Sequence, residues 1–369
     1  MKNRQTKDMH TQIVTFAVSL LMIFAIMISG VSEKLPVICA SVVFYAQTAG
    51  QPSERATETV SNTVKTEKES TEHPQTKAEV SDDITKTPSD IVEIIKKYTQ
   101  LFENDKKDGE IKSVTYEKAG ATHTFKNVRV KNTTDTKTLN IEKELSYPLE
   151  LSVDKSKPAV LIFHSHTSEG YEMIERDWYA VDYSARSNDE SINIVRVGTE
   201  IANYLEKAGY TVIHDRTIHD DSYSDSYPNS RKTVKKHLEE HPEIQIVLDI
   251  HRDSITQNDG SKIKPLNTIG GKKAAQLMII TGAEEGKVKD FPDWEYNLRF
   301  ALQLQKKCED MFPGLMRPVL FSQRKYNMDM TRFSLLIEMG SEANTLEEAC
   351  YSGRMLASAL AALMDEYVR

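Results

Sequence analysis

Cysteine is scarce in this 369-residue chain: three occur, Cys39, Cys308 and Cys350, at unrelated spacings. That excludes a disulfide framework and a thiolate zinc knuckle. Cys308 and Cys350 fall within helical patterns, where a free thiol acts as a small buried hydrophobe. Basic charge is also thin. Lys and Arg number 47 against 55 Asp and Glu, a net charge of −8, and the body of the chain has no basic block. Nucleic acid is excluded as a partner on that ground. There is no internal repeat. Long apolar runs are absent but for one, Ile13 to Val31, which carries no charge and approaches the ~20 residues that span a bilayer. Lys2, Arg4 and Lys7 precede it, placing the start of the chain in the cytosol and the rest outside. The run exceeds the roughly 7–15 residue core of a cleaved signal peptide. The expectation is a single-pass anchor at 13–31 behind a cytoplasmic tail at 1–12. A second stretch, Leu35 to Ala46, is short for a span.

Residues 32–88 are expected to form a disordered linker, since Gln47 to Pro88 is rich in Thr, Ser, Glu and Lys and poor in large apolar residues. Residues 89–153 read as a small lead-in region: a helix over Ser89 to Phe102, then short Thr-rich pieces over Lys112 to Val153. From 154 to 369 the pattern alternates strand and helix. Helices are expected from Ile194 to a C-cap at Gly209, from Arg231 to Glu240, from Trp294 to Met311, and after a capping box at Thr345 and Glu348. Strands lie between them, at Tyr210 to Ile213 and Gln276 to Ile280 among others. The expected fold is α/β, a mixed, mainly parallel sheet with helices on both faces.

Three buried-strand patterns end in ligand-type residues. Ala159 to Phe163 runs into His164, His166 and Glu169; Ile244 to Asp253 delivers His251; Phe333 to Gly340 delivers Glu338. In open α/β sheets the chemistry sits beyond the carboxyl ends of the strands, so these residues point to one place. His166, Glu169 and His251 make a three-ligand zinc set of His and carboxylate type. Zinc so held activates a water and polarises a carbonyl, and Glu338 suits the proton carrier outside the ligand set. Glu190, just before the Ile194 helix, competes with Glu169 for the third ligand position. His164 reads either as a group beside the metal ligands or as a side chain turned towards the core. His10, His73, His237 and His241 are assigned no role.

Several ordered blocks carry a resemblance. HSHTSEGY at His164, DIHRDS at Asp249, YSDSYPNSR at Tyr223 to Arg231, PGLMRP at Pro313 to Pro318, KYN at Lys325 to Asn327 and LLIEMGSEANTLEEA at Leu335 to Ala349 resemble stage II sporulation protein P. That family comprises cell-wall hydrolases of endospore-forming Firmicutes. The resemblance runs from about Asp154 to the C-terminus, and the anchor and linker suit the family's layout. It implies a fold like the zinc N-acetylmuramoyl-L-alanine amidases, with Zn2+ as cofactor, His166 and His251 as ligands and Glu338 as the catalytic carboxylate. By position the amidase pattern favours Glu190, whereas the sporulation family's own block favours Glu169. Arg252, Tyr227 and Arg231 resemble family positions suited to binding stem-peptide carboxylates or wall sugars. One departure is visible: Met328 follows Tyr326-Asn327 where the family often has Gln.

The resemblance therefore implies a membrane-anchored zinc amidase, also able to cleave peptide cross-links, that thins peptidoglycan during forespore engulfment. It would work from the intermembrane space at the sporulation septum, with stage II sporulation proteins D and M as partners. The rival readings are a zinc peptidase acting on stem peptides only and a non-catalytic wall-binding scaffold.

Overall fold

The computed structural model describes residues 81–117 and 120–369; the expected tail, anchor and most of the linker lie outside them. Described residues belong to one compact unit, Pro74–Arg369. Among them no helix is long and apolar enough to cross a membrane. The order begins with α1 (Asp82–Thr85), α2 (Ser89–Leu101), β1 (Gly109–Val114), β2 (His123–Phe125), β3 (Val128–Asn132) and α3 (Ile141–Ser146). It continues with β4 (Pro158–Phe163), β5 (Trp178–Tyr179), α4 (Ile194–Lys207), β6 (Thr211–His214), α5 (Ser226–Glu240), β7 (Ile246–Asp253), β8 (Lys262–Ile269) and β9 (Lys272–Ala275). The chain closes with β10 (Leu277–Gly282), α6 (Trp294–Met311), β11 (Val319–Ser322), β12 (Phe333–Ser341) and α7 (Leu346–Met364).

The main sheet has eight strands in the order β2-β3-β11-β10-β12-β7-β4-β6. Five of its pairings are parallel; β2–β3 and β10–β12 are antiparallel. The mixed, mainly parallel α/β sheet expected from the alternating pattern is therefore present. Its central strands β4, β7 and β12 are buried almost throughout, as continuous Val/Ile/Leu runs require. Helices α4, α6 and α7 share the large core on one face, with Val160, Ile162, Leu248 and Ile250. The opposite face is covered more lightly. There Leu161, Phe163 and Val247 pack with Val234 of α5, and Leu336 packs with Phe291 and Met328.

Two parts of the architecture differ from expectation. A second sheet, β5-β1-β8-β9, stands beside the first. Its strands β8 and β9 escape notice in the sequence because Pro265 and Lys264 interrupt the apolar pattern. Lys264 is buried all the same, with its Nζ 2.8 Å from Glu175 and 3.0 Å from Glu348. The lead-in region is also woven into both sheets, β1 beside β8 and β3 beside β11. The segment just before residue 89 is packed on the domain: Ile84 is buried, and its carbonyl accepts from Arg354 Nε at 2.8 Å. Residues 81–88, expected to belong to the linker, instead pack against α7, which supplies them with partners.

Candidate metal and catalytic site

Strand β4 ends at Phe163, and the following turn is stitched to its surroundings by its own polar atoms. Thr167 Oγ1 donates to the carbonyls of His164 and Thr217, each at 2.9 Å. The Glu169 carbonyl accepts from Ile194 N at 2.7 Å, at the start of α4, where the Asn193 side chain caps Val195 N. The turn thus carries His166 and Glu169 under the N-terminus of α4. Both are buried, as is His251 near the end of β7. Glu338 of β12 lies opposite His251 in the parallel register, one strand spacing of about 4.8 Å away. Just beyond it the register shifts, and Gly340 has φ 77°. This bulge ends regular pairing beside Glu338, a common arrangement near sites where a side chain is re-aimed.

His166 and His251 stand edge to face, with ring centroids 5.3 Å apart. His251 Nδ1 is 3.6 Å from Glu169 Oε2, which also accepts from Arg252 N at 3.1 Å. Two atoms each ~2.1 Å from a tetrahedral zinc are separated by about 3.4 Å, so this pair has the spacing of joint ligands. His166 Nδ1 is buried without a hydrogen-bond partner, and so is Glu338 Oε2. An orphaned imidazole nitrogen beside a carboxylate and a second imidazole is the donor chemistry of a zinc site. As placed, no three such side chains close into a metal cage among the described residues. The donor set fits zinc in type, and two of its members fit in spacing.

The electrostatics agree with a buried cluster. Burial lowers the pKa of His166, against the pull of Glu169. Burial also lowers that of His251, but Asp249, then Glu169 and Glu338, outweigh it and raise the group to about 9. Glu338 is pushed up to about 8, first by burial and then by Asp253, with His251 acting against them. Its residue surface is only partly covered; the enclosed Oε2 accounts for the direction.

The other expected residues fall into place unevenly. Glu190 is half exposed and stands 3.5 Å from Arg216, whereas Glu169 faces the histidines. His164 points to the opposite face of the sheet: Nδ1 contacts Ile250 O and Nε2 contacts His214 Nε2, both at 2.9 Å. Arg252 is buried, and its donors go to the carbonyls of Gly170 and Ala185 at 3.1 Å. Arg231 forms a bidentate ion pair with Asp329 at 2.7 and 2.8 Å. Tyr227 lies at the site, edge-on to His166 and stacked towards His251 and Tyr326. Met328, the departure from the family pattern, is buried against Ile280, Phe291 and Leu336.

Sequence reasoning passed over Asp249, Tyr223 and Arg186. Tyr223 stacks on His166 at 4.4 Å while remaining 65% exposed, and the Arg186 guanidinium lies over that ring at 5.4 Å. Tyr223 opens the YSDSYPNSR block but is assigned no role there, and Arg186 lies in an irregular segment that carries no sequence signal. Asp249 does carry one: it stands two residues before His251, on the same strand face.

Fold and site together define a mixed α/β protein with a buried His/Glu cluster at the carboxyl ends of its central strands. The family described as stage II sporulation protein P (SpoIIP) matches residues 31–361, and the chain belongs to that family. Stage II sporulation protein P of Bacillus subtilis (strain 168) is 32% identical over 205 residues, covering 52% of this chain and 47% of that protein. The chain thus matches about half the length of this curated relative. Among solved structures, the CwlD amidase from Clostridioides difficile in complex with the GerS lipoprotein is 14% identical. It covers 57% of this chain and 98% of its own, with a TM-score of 0.36. The N-acetylmuramoyl-L-alanine amidase AmiC2 of Nostoc punctiforme is 11% identical, covers 56% and 96%, and has a TM-score of 0.32. At these scores the likeness is faint.

Proposed function

We propose that this protein is a zinc-dependent peptidoglycan hydrolase that cleaves the amide between N-acetylmuramic acid and L-alanine during forespore engulfment. The observation that carries the reading is the buried His166, Glu169 and His251 cluster facing Glu338 across adjacent strands, in a chain of the SpoIIP family. His166, Glu169 and His251 would hold the ion, with Glu169 favoured over Glu190 by its contact with His251. A bound zinc would polarise the amide carbonyl and activate a water. Glu338 takes the proton of the attacking water and passes it to the amide nitrogen. A C–O bond forms, the C–N bond breaks, and Glu338 returns to its starting state. Tyr227 and Tyr223 flank His166 and bound the approach for the sugar or the stem peptide. Arg252, with its donors committed to the loop carbonyls, orders the turn that carries Glu169. The domain would act outside the cell membrane, held by the 13–31 anchor, with stage II sporulation proteins D and M as partners.

The test is zinc content of the full-length protein and its His166→Ala, His251→Ala, Glu169→Ala and Glu190→Ala variants, each then applied to purified sacculi. About one zinc per chain is expected, lost with both histidines and Glu169 but kept with Glu190→Ala. Glycan strands freed of stem peptides mark an amidase; trimmed peptides still on the sugar mark the peptidase reading. A folded protein that cleaves sacculi without metal after chelation overturns the zinc chemistry.

A further inference from the structure

Asp249 is buried on the same face of β7 as His251. A buried carboxylate needs partners; Ser165 supplies two hydrogen bonds, and His251 lies close by. Ser165 N donates to Oδ1 at 2.8 Å, Ser165 Oγ donates to Oδ2 at 2.6 Å, and His251 Nε2 stands 2.8 Å from Oδ1. That last contact is a short approach and not a hydrogen bond: His251 Nε2 is buried without a hydrogen-bond partner and faces Asp249 Oδ1 as its nearest carboxylate. Ser165 is itself held. Its Oγ is 2.8 Å from Ser230 Oγ on α5, to which Asn327 Nδ2 donates at 3.1 Å. Asn327 adopts φ 60°, the left-handed region that an Asn tolerates better than most residues. The chain of contacts therefore runs from a left-handed turn, through α5 and the β4 turn, to one nitrogen of His251. The other nitrogen, Nδ1, faces Glu169.

A neutral imidazole carries one N–H, and the group beside that nitrogen decides which lone pair is free. A carboxylate behind a metal-ligating histidine fixes its tautomer and ring orientation. We propose that Asp249 is the positioning residue of this site: it keeps the proton of His251 on Nε2 and directs the Nδ1 lone pair to an ion shared with Glu169. Ser165 and Ser230 hold the Asp249 carboxylate for that task. The inference rests on the metal reading above and assigns Asp249 a role that the ligand set alone does not contain.

The experiment is zinc affinity of the full-length protein by competition with a chromophoric chelator, for wild type, Asp249→Asn, Ser165→Ala and His251→Ala. Folding is checked by far-UV circular dichroism. Asp249→Asn keeps the shape and loses the charge, and it is expected to weaken zinc binding about 10–100-fold. Ser165→Ala should weaken it less than tenfold. Zinc-loaded wild type carrying 15N-histidine should show His251 protonated on Nε2 and bare of hydrogen on Nδ1. That reading needs no variant, so it decides the matter even if Asp249→Asn fails to fold. A folded Asp249→Asn protein with wild-type zinc affinity overturns the proposal, as does a proton on Nδ1 in the loaded wild type. Wild-type zinc affinity in His251→Ala instead overturns the ligand assignment on which the proposal stands.

Discussion

Glu338 shows how a single buried carboxyl ties function to stability. In the unfolded chain a glutamate ionises near its usual pKa of about 4.3, whereas in the metal-free fold Glu338 holds its proton to about 8. Below the unfolded value both states are protonated and pH has no effect through this group. Between the two values the unfolded state releases the proton and the folded state does not, so stability falls as pH rises through that window. Glu338→Gln cannot ionise and removes this loss. In chelator, the wild-type melting temperature is therefore expected to fall more steeply from pH 5 to pH 8 than that of Glu338→Gln. The variant should melt several degrees higher at pH 8, at roughly 2–4 °C per kcal/mol for a domain of this size. Adding zinc should narrow the gap, because a nearby cation favours the carboxylate. Parallel melting curves across this range would mean that Glu338 is solvated, and the burial argument for its proton would fall.

At the scale of elements, the packing of α4 on the central strands has little slack. A Cβ on Gly198 would lie 2.6 Å from His214 Nε2 and 2.7 Å from the His164 ring. Those rings are bonded to each other, and His164 is also bonded to Ile250 O, so neither moves without breaking a contact. Gly198→Ala should destabilise by about 1–3 kcal/mol, the usual range for overpacking, as measured by thermal unfolding. An unchanged melting temperature would mean that the rings swing aside freely. The strands ending at Phe163, Asp253 and Ser341 were legible because an unbroken apolar run has one good burial solution, in the middle of a parallel sheet. Helix Trp294–Met311 and the Thr345–Glu348 capping box were legible because their signals are local. β8 was not, since the burial of Lys264 depends on Glu348, 84 residues away. Glu169 stands beside His251 in space, whereas Glu190 is half exposed and lies 3.5 Å from Arg216. No local pattern encodes that pairing.

The whole molecule depends on residues that precede the site. Val128 and Val130 of β3 are buried in the main core, and Arg129 pairs with buried Glu309 of α6 at 2.6 Å. Ile84 and Ile91 pack into the same core. Arg354 of α7 reaches the Ile84 carbonyl, and Lys272 reaches Thr85 O at 2.9 Å. A fragment beginning at Asp154 keeps every proposed catalytic and metal-binding residue but loses these partners. β11 becomes an unpaired edge, β8 loses its parallel neighbour β1, and the carboxylate of Glu309 is left buried beside an absent cation. An open apolar edge promotes aggregation, and a buried charge stripped of its partner costs several kcal/mol. The 154–369 fragment is therefore expected to aggregate or to melt without a cooperative transition, while a 74–369 fragment should unfold cooperatively. Both are checked by solubility and calorimetry. If the shorter fragment melted cooperatively at the temperature of the longer one, residues 74–153 would be an appendage and the site would stand on 154–369 alone. The ion pair through Arg129 and the hydrogen bond through Arg354 make the opposite outcome the physical expectation, and they place the start of the working unit ahead of Asp154.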